Sequence, residues 1–445
     1  MATRERAKFY RGADWVSFWI ATILALAVYL WTLAPEVTLD MSGMFSVGAM
    51  YAGVPHPPGF PVWVIYAWGF TKLLPFSNIA WRVAVSSAVA GALTCGLIAL
   101  MISRGGALVL GGLRGFKQLA PAEENRLRII CGAVAGLGFS FDRSFWGVAV
   151  IVHTWPLAML MFALALAMLM KWFYAPERRR RLYGASFVFS LALTSHQVLF
   201  AAAFGLEVIV MCRSVELRRD FCFANFWLFV AGLLVNWMGW LQFLDRGETG
   251  ANLLRVAFLM VGAGSMAMCT LLTWQTRRLL TQWKVLLATG AAFVLGLIPY
   301  FYLPIAGMTT PPANWGHARV VEGFVHDVTR GQYERMMPTH GFEPFLTQLG
   351  LFADFAVKGL GWPYVIAALI PLGFLHRVAL RDRQWLIGTL AVFLCLSLLL
   401  VILLNPPLDW PARGYHLSAA HLMLAVWAGY GLILLGSMFA RKKTA

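Results

Sequence analysis

Apolar runs of membrane-spanning length recur from one end of this 445-residue chain to the other, and no other feature restricts its fold so strongly. A bilayer core is crossed by about 20 apolar residues, and that ruler predicts about twelve helical spans. They fall at 14–34, 79–103, 129–146, 148–171, 183–197, 198–212, 222–243, 253–275, 284–304, 350–375, 384–404 and 415–439. Residues 57–76 are apolar but shorter, and read as an interfacial or re-entrant helix in the first outer loop. With 60% apolar and 13% charged residues, no water-soluble core can absorb the chain, whereas lipid solvates it from outside. The fold class is therefore an all-α polytopic membrane protein, one domain over 1–445, with no soluble domain between spans. The first run is too long for a signal-peptide core and lacks a small-residue cleavage site, so it reads as a retained span.

The formal charge of +16 has a distribution that points to topology and away from nucleic acid. Most of the 36 Lys and Arg residues fall in alternate loops: Arg4 to Arg11, Arg104 to Arg128, Lys171 to Arg181, Arg213 to Arg219, Arg277 to Lys284, Arg377 to Arg383 and Arg441 to Lys443. Basic loops stay on the cytoplasmic side, so both termini are expected there. The tract Arg178 to Arg181 is then a topogenic patch. Six cysteines lie scattered without CxxC or zinc spacing, as small apolar packing residues do.

The opposite side receives the loops of unusual composition: 35–78, a tight turn at 142–146, the end near His196, a long loop at 305–349, and 405–414. His56, His196, His317, His326, His340 and His416 fall at or near that side. The stretch 34–61, APEVTLDMSGMFSVGAMYAGVPHPPGFP, is polar and too rich in Gly and Pro to be helical throughout. Within it Asp40 follows the first span closely enough to occupy a partly dehydrated cavity, and there it can accept a proton from an attacking hydroxyl. A solvated loop acid fits the same position. Glu36, at the span end, is the competing carboxylate. His56 precedes Pro57-Pro58-Gly59, a rigid turn able to aim its ring.

His196 and Gln197 interrupt an apolar region, where ionisable groups are functional candidates, although a histidine satisfied inside the bundle is the other reading. Asn314, Trp315, Gln332 and Tyr333 mix aromatic faces with hydrogen-bonding groups suited to sugars. Arg413, just before the last span with Tyr415, offers a forked guanidinium for a lipid-linked phosphate. Arg82 is a second such cation, with snorkelling as its alternative. No phosphate-binding GxxxxGK[ST], no HExxH and no GxSxG occurs, and the outer loops hold no clustered acidic set, so no metal and no cofactor is assigned; metal dependence stays open.

The ordered set AP-x-V-T, SG-x-F, GV-x-HPPG-x-P, ALTSHQ, YFYLPI, PPANWG, RGQY and the Arg-Gly-Tyr before the last span resembles the family that includes transmembrane protein 260, a protein O-mannosyltransferase grouped with the GT-C glycosyltransferases. The resemblance covers about residues 15 to 435. It implies a GT-C fold, a sugar donor carried on polyprenyl phosphate, and transfer on the non-cytoplasmic face; with Asp40 as base an inverting transfer fits, the acceptor hydroxyl being of a protein, lipid or glycan. By motif, His56, His196, Gln197, Asn314, Trp315, Gln332, Tyr333, Arg413 and Tyr415 occupy the family's recurring positions. One departure stands out: the acids of the family's Asp-Ser/Cys-Gly-Glu box fall on Met41 and Met44, and Asp40 comes one residue early. The chain stops at Ala445, without the soluble C-terminal extension of many relatives.

The expected activity is thus transfer of a sugar with Asp40 as general base, in a multi-pass protein of a bacterial inner membrane whose active site faces outward. The partners implied are the lipid-linked donor, the acceptor and membrane lipids. A transporter or lipid flippase is the alternative from another class, but it predicts related halves, and polarity here concentrates at one face. A catalytically altered family member is the third, made concrete by Met41 and Met44.

Overall fold

The computed structural model describes residues 8–38, 41–113, 119–238, 251–330, 339, 341–404 and 414–440. Helices in chain order are α1 (Gly12–Trp31), α2 (Ser42–Tyr51), α3 (Pro61–Leu73), α4 (Ile79–Gly111), α5 (Pro121–Ser140), α6 (Arg143–Ala149), α7 (Trp155–Tyr174), α8 (Arg180–Ser195), α9 (Ala203–Met211), α10 (Val215–Trp237), α11 (Ala251–Thr276), α12 (Trp283–Leu297), α13 (Tyr302–Met308), α14 (Val321–Val328), α15 (Phe342–Leu360), α16 (Trp362–Phe374), α17 (Leu380–Leu394), α18 (Leu400–Leu404) and α19 (Ser418–Phe439). Among the described residues there is no β-strand, only a single parallel bridge between Val54 and Asn314.

Local chemistry sets where these helices begin. Prolines open α3, α5, α7 and α16, where the missing N–H costs nothing. Side chains cap others: Asn78 accepts from Trp81 N at 2.8 Å for α4, and Ser214 accepts from Leu217 N at 3.1 Å for α10. Asp142 caps α6, accepting from Ser144 N and Phe145 N at 3.1 and 3.0 Å. The expected tight turn at 142–146 is therefore a capped helix, because an acid at that position satisfies two backbone donors at once.

Eight helices among the described residues are long and apolar enough to cross a membrane, and a ninth span results if the pair α15 and α16 counts as one. That pair is bent by 111°, so the continuous span expected at 350–375 is two helices instead. Gly361, with φ +87°, makes the break, since a left-handed backbone cannot continue a helix. The expected spans at 183–197 and 198–212 contain the short helices α8 and α9. His196 separates them with an extended backbone at φ −162° and ψ 107°.

α4 is the centre of the bundle: 89% of its most apolar stretch is buried, against α1, α5, α7 and α19. Its inward positions are small, among them Ala84, Ala88, Gly91, Ala92, Gly96 and Ala99, which lets neighbouring backbones approach closely. α10, α11 and α12 form the opposite case. They too are apolar enough to cross a membrane but only 22%, 22% and 17% buried, with Trp227, Leu228, Met260 and Val294 facing outward. Such surfaces are stable only in an apolar solvent, and the protein is a multi-pass membrane protein.

Two fully buried Arg–Asp pairs among the described residues tie helices together. Asp14 on α1 receives Arg128 Nη2 of α5 and, at 2.6 Å, the Ser103 hydroxyl of α4, while Arg128 Nε donates to Ser103 O at 3.0 Å. Arg219 on α10 pairs with Asp220 at 2.7 Å and donates to the hydroxyls of Thr276 and Thr281. Asp220 in turn accepts from Gln282 N at 2.6 Å, closing the α11 to α12 connection.

Candidate functional site

Four segments distant in sequence meet around one cluster of imidazole and aromatic rings. The first is the α2 to α3 connection. Val54 N donates to Ala313 O at 2.7 Å and Trp315 N donates to Val54 O at 2.9 Å, so the residues before the HPPG turn are zipped to those of the NWG turn. Tyr302 OH adds a bond to Ala52 O. The HPPG turn closes with Gly59 N donating to His56 O at 2.6 Å, and the His56 ring donates from Nδ1 to Pro57 O at 2.7 Å. His56 lies 6.1 Å from Trp315 and stacks at 6.2 Å on Phe60, whose ring is in turn 6.2 Å from His196.

The second segment is the break after α8. His196 is buried there, and Gln197 Nε2 donates to Tyr300 OH at 3.1 Å and to Val328 O at 2.9 Å, joining α8 to the 3-10 turn after α12 and to α14. The third is the approach to α19: His416 Nε2 is 3.3 Å from His196 Nε2, and the Tyr415 ring is 3.9 Å from His416. The fourth is the segment between α6 and α7. Trp155 N donates to His153 Nδ1 at 3.0 Å, which places the proton of the neutral ring on Nε2. His153 lies 4.6 Å from Tyr415, and Trp155 lies 4.9 Å from His196 and 5.4 Å from His416. Trp63 Nε1 and Ser87 Oγ both donate to His153 O, at 3.0 and 3.2 Å, and Trp155 Nε1 donates to Ser418 Oγ at 2.8 Å.

Burial decides the charge state of these rings. It drives His153 down to about 3, so that ring is neutral at physiological pH. His56 is also lowered by burial, with the Pro57 carbonyl opposing and the Arg330 charge adding to the fall. His196 is likewise lowered, by burial first and then by the neighbouring His416 and the Arg330 charge. Asp327, whose carbonyl accepts from Arg330 N at 3.0 Å, is pushed up to about 6 by burial, against the pull of His326 and His317. The ensemble is dry and aromatic, with neutral imidazoles that can accept or pass a proton and a guanidinium able to receive an anion. Among the described residues no three His, Cys, Asp or Glu side chains converge as metal ligands.

Of the residues predicted from sequence, His56, His196, Gln197, Asn314, Trp315 and Tyr415 meet in this cluster. Arg82 does not join it among the described residues. Its Nε, Nη1 and Nη2 donate to the carbonyls of Phe76, Thr71 and Ser77 at 2.9, 3.2 and 2.9 Å, clamping the α3 to α4 turn. Asp40, Gln332, Tyr333 and Arg413 lie outside the described residues. Sequence reasoning passed over His153 and Trp155 because both sat inside the expected span 148–171. The signal was there in His153-Thr154-Trp155-Pro156: a proline that starts a helix and a histidine within an apolar run. Arg330 and His416 carried no site assignment either, and only the fold brings them beside His56 and His196.

A family model described as the protein O-mannosyl-transferase TMEM260 N-terminal domain matches residues 42–219. Protein O-mannosyl-transferase TMEM260 of Mus musculus is 20% identical over 308 residues, covering 69% of this chain and 33% of the mouse protein. Protein O-mannosyl-transferase tmem260 of Dictyostelium discoideum is 20% identical over 432 residues, covering 91% of this chain and 43% of that protein. The chain thus spans between a third and a half of the length of these curated relatives. No solved structure matches it. The matched segment contains His56, His153, Trp155, His196 and Gln197, and over it the chain is similar to the TMEM260 N-terminal domain.

Proposed function

We propose that the chain is a GT-C membrane glycosyltransferase that moves a sugar from a polyprenyl-phosphate donor to an acceptor hydroxyl, as an O-mannosyltransferase does. The observation that carries this reading is the meeting of the HPPG, SHQ and NWG motifs and the final Tyr415-His416 pair at one end of the bundle, within a chain whose residues 42–219 match the family domain. In this reading Asp40 takes the proton of the acceptor hydroxyl, and inversion follows from direct displacement. The leaving phosphate is already a good leaving group, so it needs positive charge more than a proton, and Arg330 with Arg413 supplies it. The basic loops favour cytoplasmic termini, twelve crossings and a site on the non-cytoplasmic face. A bacterial inner membrane is the proposed location, although the two curated relatives above are eukaryotic. The test is transfer of labelled sugar from polyprenyl-phosphate mannose to peptide, lipid and glycan acceptors by the purified chain. Absence of transfer to all three, with donor moved across vesicles, would favour the flippase.

One observation keeps the altered-member reading in play. Met41 holds the N-cap of α2 at φ +62° with its side chain 47% exposed, a place where Asp suits both the backbone and the cap. Met41→Asp should therefore stabilise α2 by about 1 kcal/mol, read as a raised melting temperature. If loss of the acidic box has weakened the enzyme, Met41→Asp with Met44→Glu raises transfer; unchanged transfer means the box is dispensable here.

A further inference from the structure

Burying an ion pair costs desolvation energy, and the pair on α10 uses its position to hold a loop. Arg219 donates to Thr276 Oγ1 and Thr281 Oγ1, both at 2.7 Å, and Asp220 accepts from Gln282 N at 2.6 Å, so the α11 to α12 connection is fixed at both ends. Between those anchors stand Arg277 and Arg278, both exposed. Arg277 takes φ +53°, a left-handed backbone that ends α11, while its N–H still reaches Thr273 O at 2.8 Å. The turn lays Arg277 over the Trp274 ring, with Cζ 5.8 Å from the ring centre. Among the described residues every ion pair involves other side chains. Two positive charges thus stand on a fixed backbone with no acid to answer them.

They stand at the mouth of an open cleft. Phe223 and Phe226 of α10 and Met266, Thr270 and Trp274 of α11 line a space of about 720 Å³ that ends at Arg277 and Arg278. A second hollow of about 630 Å³ continues from Met266, Thr270 and Trp274 to Ala263 and Leu271. Both open on the lipid-facing surface: Met266 is 51% and Trp274 64% exposed, so a lipid chain enters sideways without any helix moving. Met266, Thr270, Thr273 and Arg277 recur at helical spacing, a stripe about 16 Å long at 1.5 Å per residue. Thr270 Oγ1 donates to Met266 O at 2.9 Å, which leaves that hydroxyl no hydrogen to offer in the apolar part of the cleft.

A cleft that is apolar along its length and doubly cationic at one end matches a molecule with a hydrocarbon tail and an anionic head. We propose that it binds one anionic glycerophospholipid, with the phosphate on Arg277 and Arg278 and an acyl chain along Met266 to Trp274. Guanidinium groups offer paired N–H donors to phosphate oxygens. A zwitterionic lipid brings its own ammonium into the same positive field, so net negative charge is what the site selects. The site lies at the end of the bundle that carries the basic loops, with the length of α12 between it and the cluster around His196. It stands independently of the glycosyltransferase reading.

The test compares phosphatidylglycerol with phosphatidylcholine of identical acyl chains on the full chain in detergent, by native mass spectrometry and thermal melting. Wild type should keep one phosphatidylglycerol through delipidation, in roughly tenfold preference to phosphatidylcholine. It should also melt higher as phosphatidylglycerol is added, because a ligand of the native state stabilises by mass action. Arg277→Gln with Arg278→Gln should cut retention by roughly tenfold and abolish the melting shift. Thr270→Trp, which fills the cleft and leaves both charges, should do the same. Arg377→Gln with Arg383→Gln, on another basic loop, should change neither readout, and glycerol 3-phosphate, a headgroup without chains, should give no shift. Equal retention of the two lipids, undiminished retention in either cleft variant, or an equal loss in the Arg377 and Arg383 variant would each overturn the proposal. So would a matching shift from glycerol 3-phosphate. A lipid-free dimer that falls apart in Thr270→Trp would overturn it too, since a second copy of the chain would then occupy the cleft.

Discussion

Asp40→Asn is expected to reduce sugar transfer by roughly 10²- to 10⁴-fold, the range a positioned general base contributes, while the protein purifies and melts like wild type. Asparagine keeps the size of the side chain and its acceptor oxygen but cannot take a proton, so the loss falls on chemistry. Thr38 N donates to Ser42 Oγ at 2.8 Å and Ser42 Oγ donates to Thr38 O at 2.5 Å. The donor Michaelis constant should move little compared with the turnover number, because the base acts on the acceptor hydroxyl in the transition state. Wild-type turnover in Asp40→Asn would remove this residue from the mechanism, and the histidines beside Trp155 would become the next bases to test.

The largest stability effect should come from Asp14→Asn. Arg128 and Asp14 are both inaccessible to solvent, and the pair holds α1, α4 and α5 together through Ser103. Removing the acid takes the close partner from a buried guanidinium and leaves it the longer contacts to Glu124 and Asn125, both at 3.4 Å; breaking a buried pair costs about 3–5 kcal/mol, whereas exchanging both partners for apolar residues is often neutral. Asp14→Asn should therefore lower the melting temperature by many degrees, and Asp14→Leu with Arg128→Met should recover most of it. The buried free thiols of Cys95 on α4 and Cys131 on α5 provide the measurement, since a thiol-reactive dye reaches them only when these helices separate. Equal labelling curves for wild type and Asp14→Asn would mean the pair does not hold the helices.

Most of the secondary structure was legible in hydropathy, because a helix that faces lipid must be apolar where lipid surrounds it, as α10 to α12 are over most of their length. Where it was not legible, one residue overrode the pattern. Gly361 bends an apolar run that reads as continuous, and Asp142 turns an expected turn into a helix by capping it. Hydropathy is a sum over many side chains and cannot register a single φ angle or a single hydrogen bond.

The same distinction governs the site. The sequence by itself determined that this is a multi-pass helical membrane protein and that HPPG, SHQ and NWG are worth attention, since turn-forming and ionisable residues are costly between apolar spans. Only the tertiary structure decided that His153 and Trp155 belong with them, that Arg82 clamps a turn, and that the Asp327 carboxylate is buried against Gly316 without a hydrogen-bond partner among the described residues. The first depends on distances between residues more than a hundred positions apart, which arise from helix packing, and the other two on the direction of single side chains, which composition does not record.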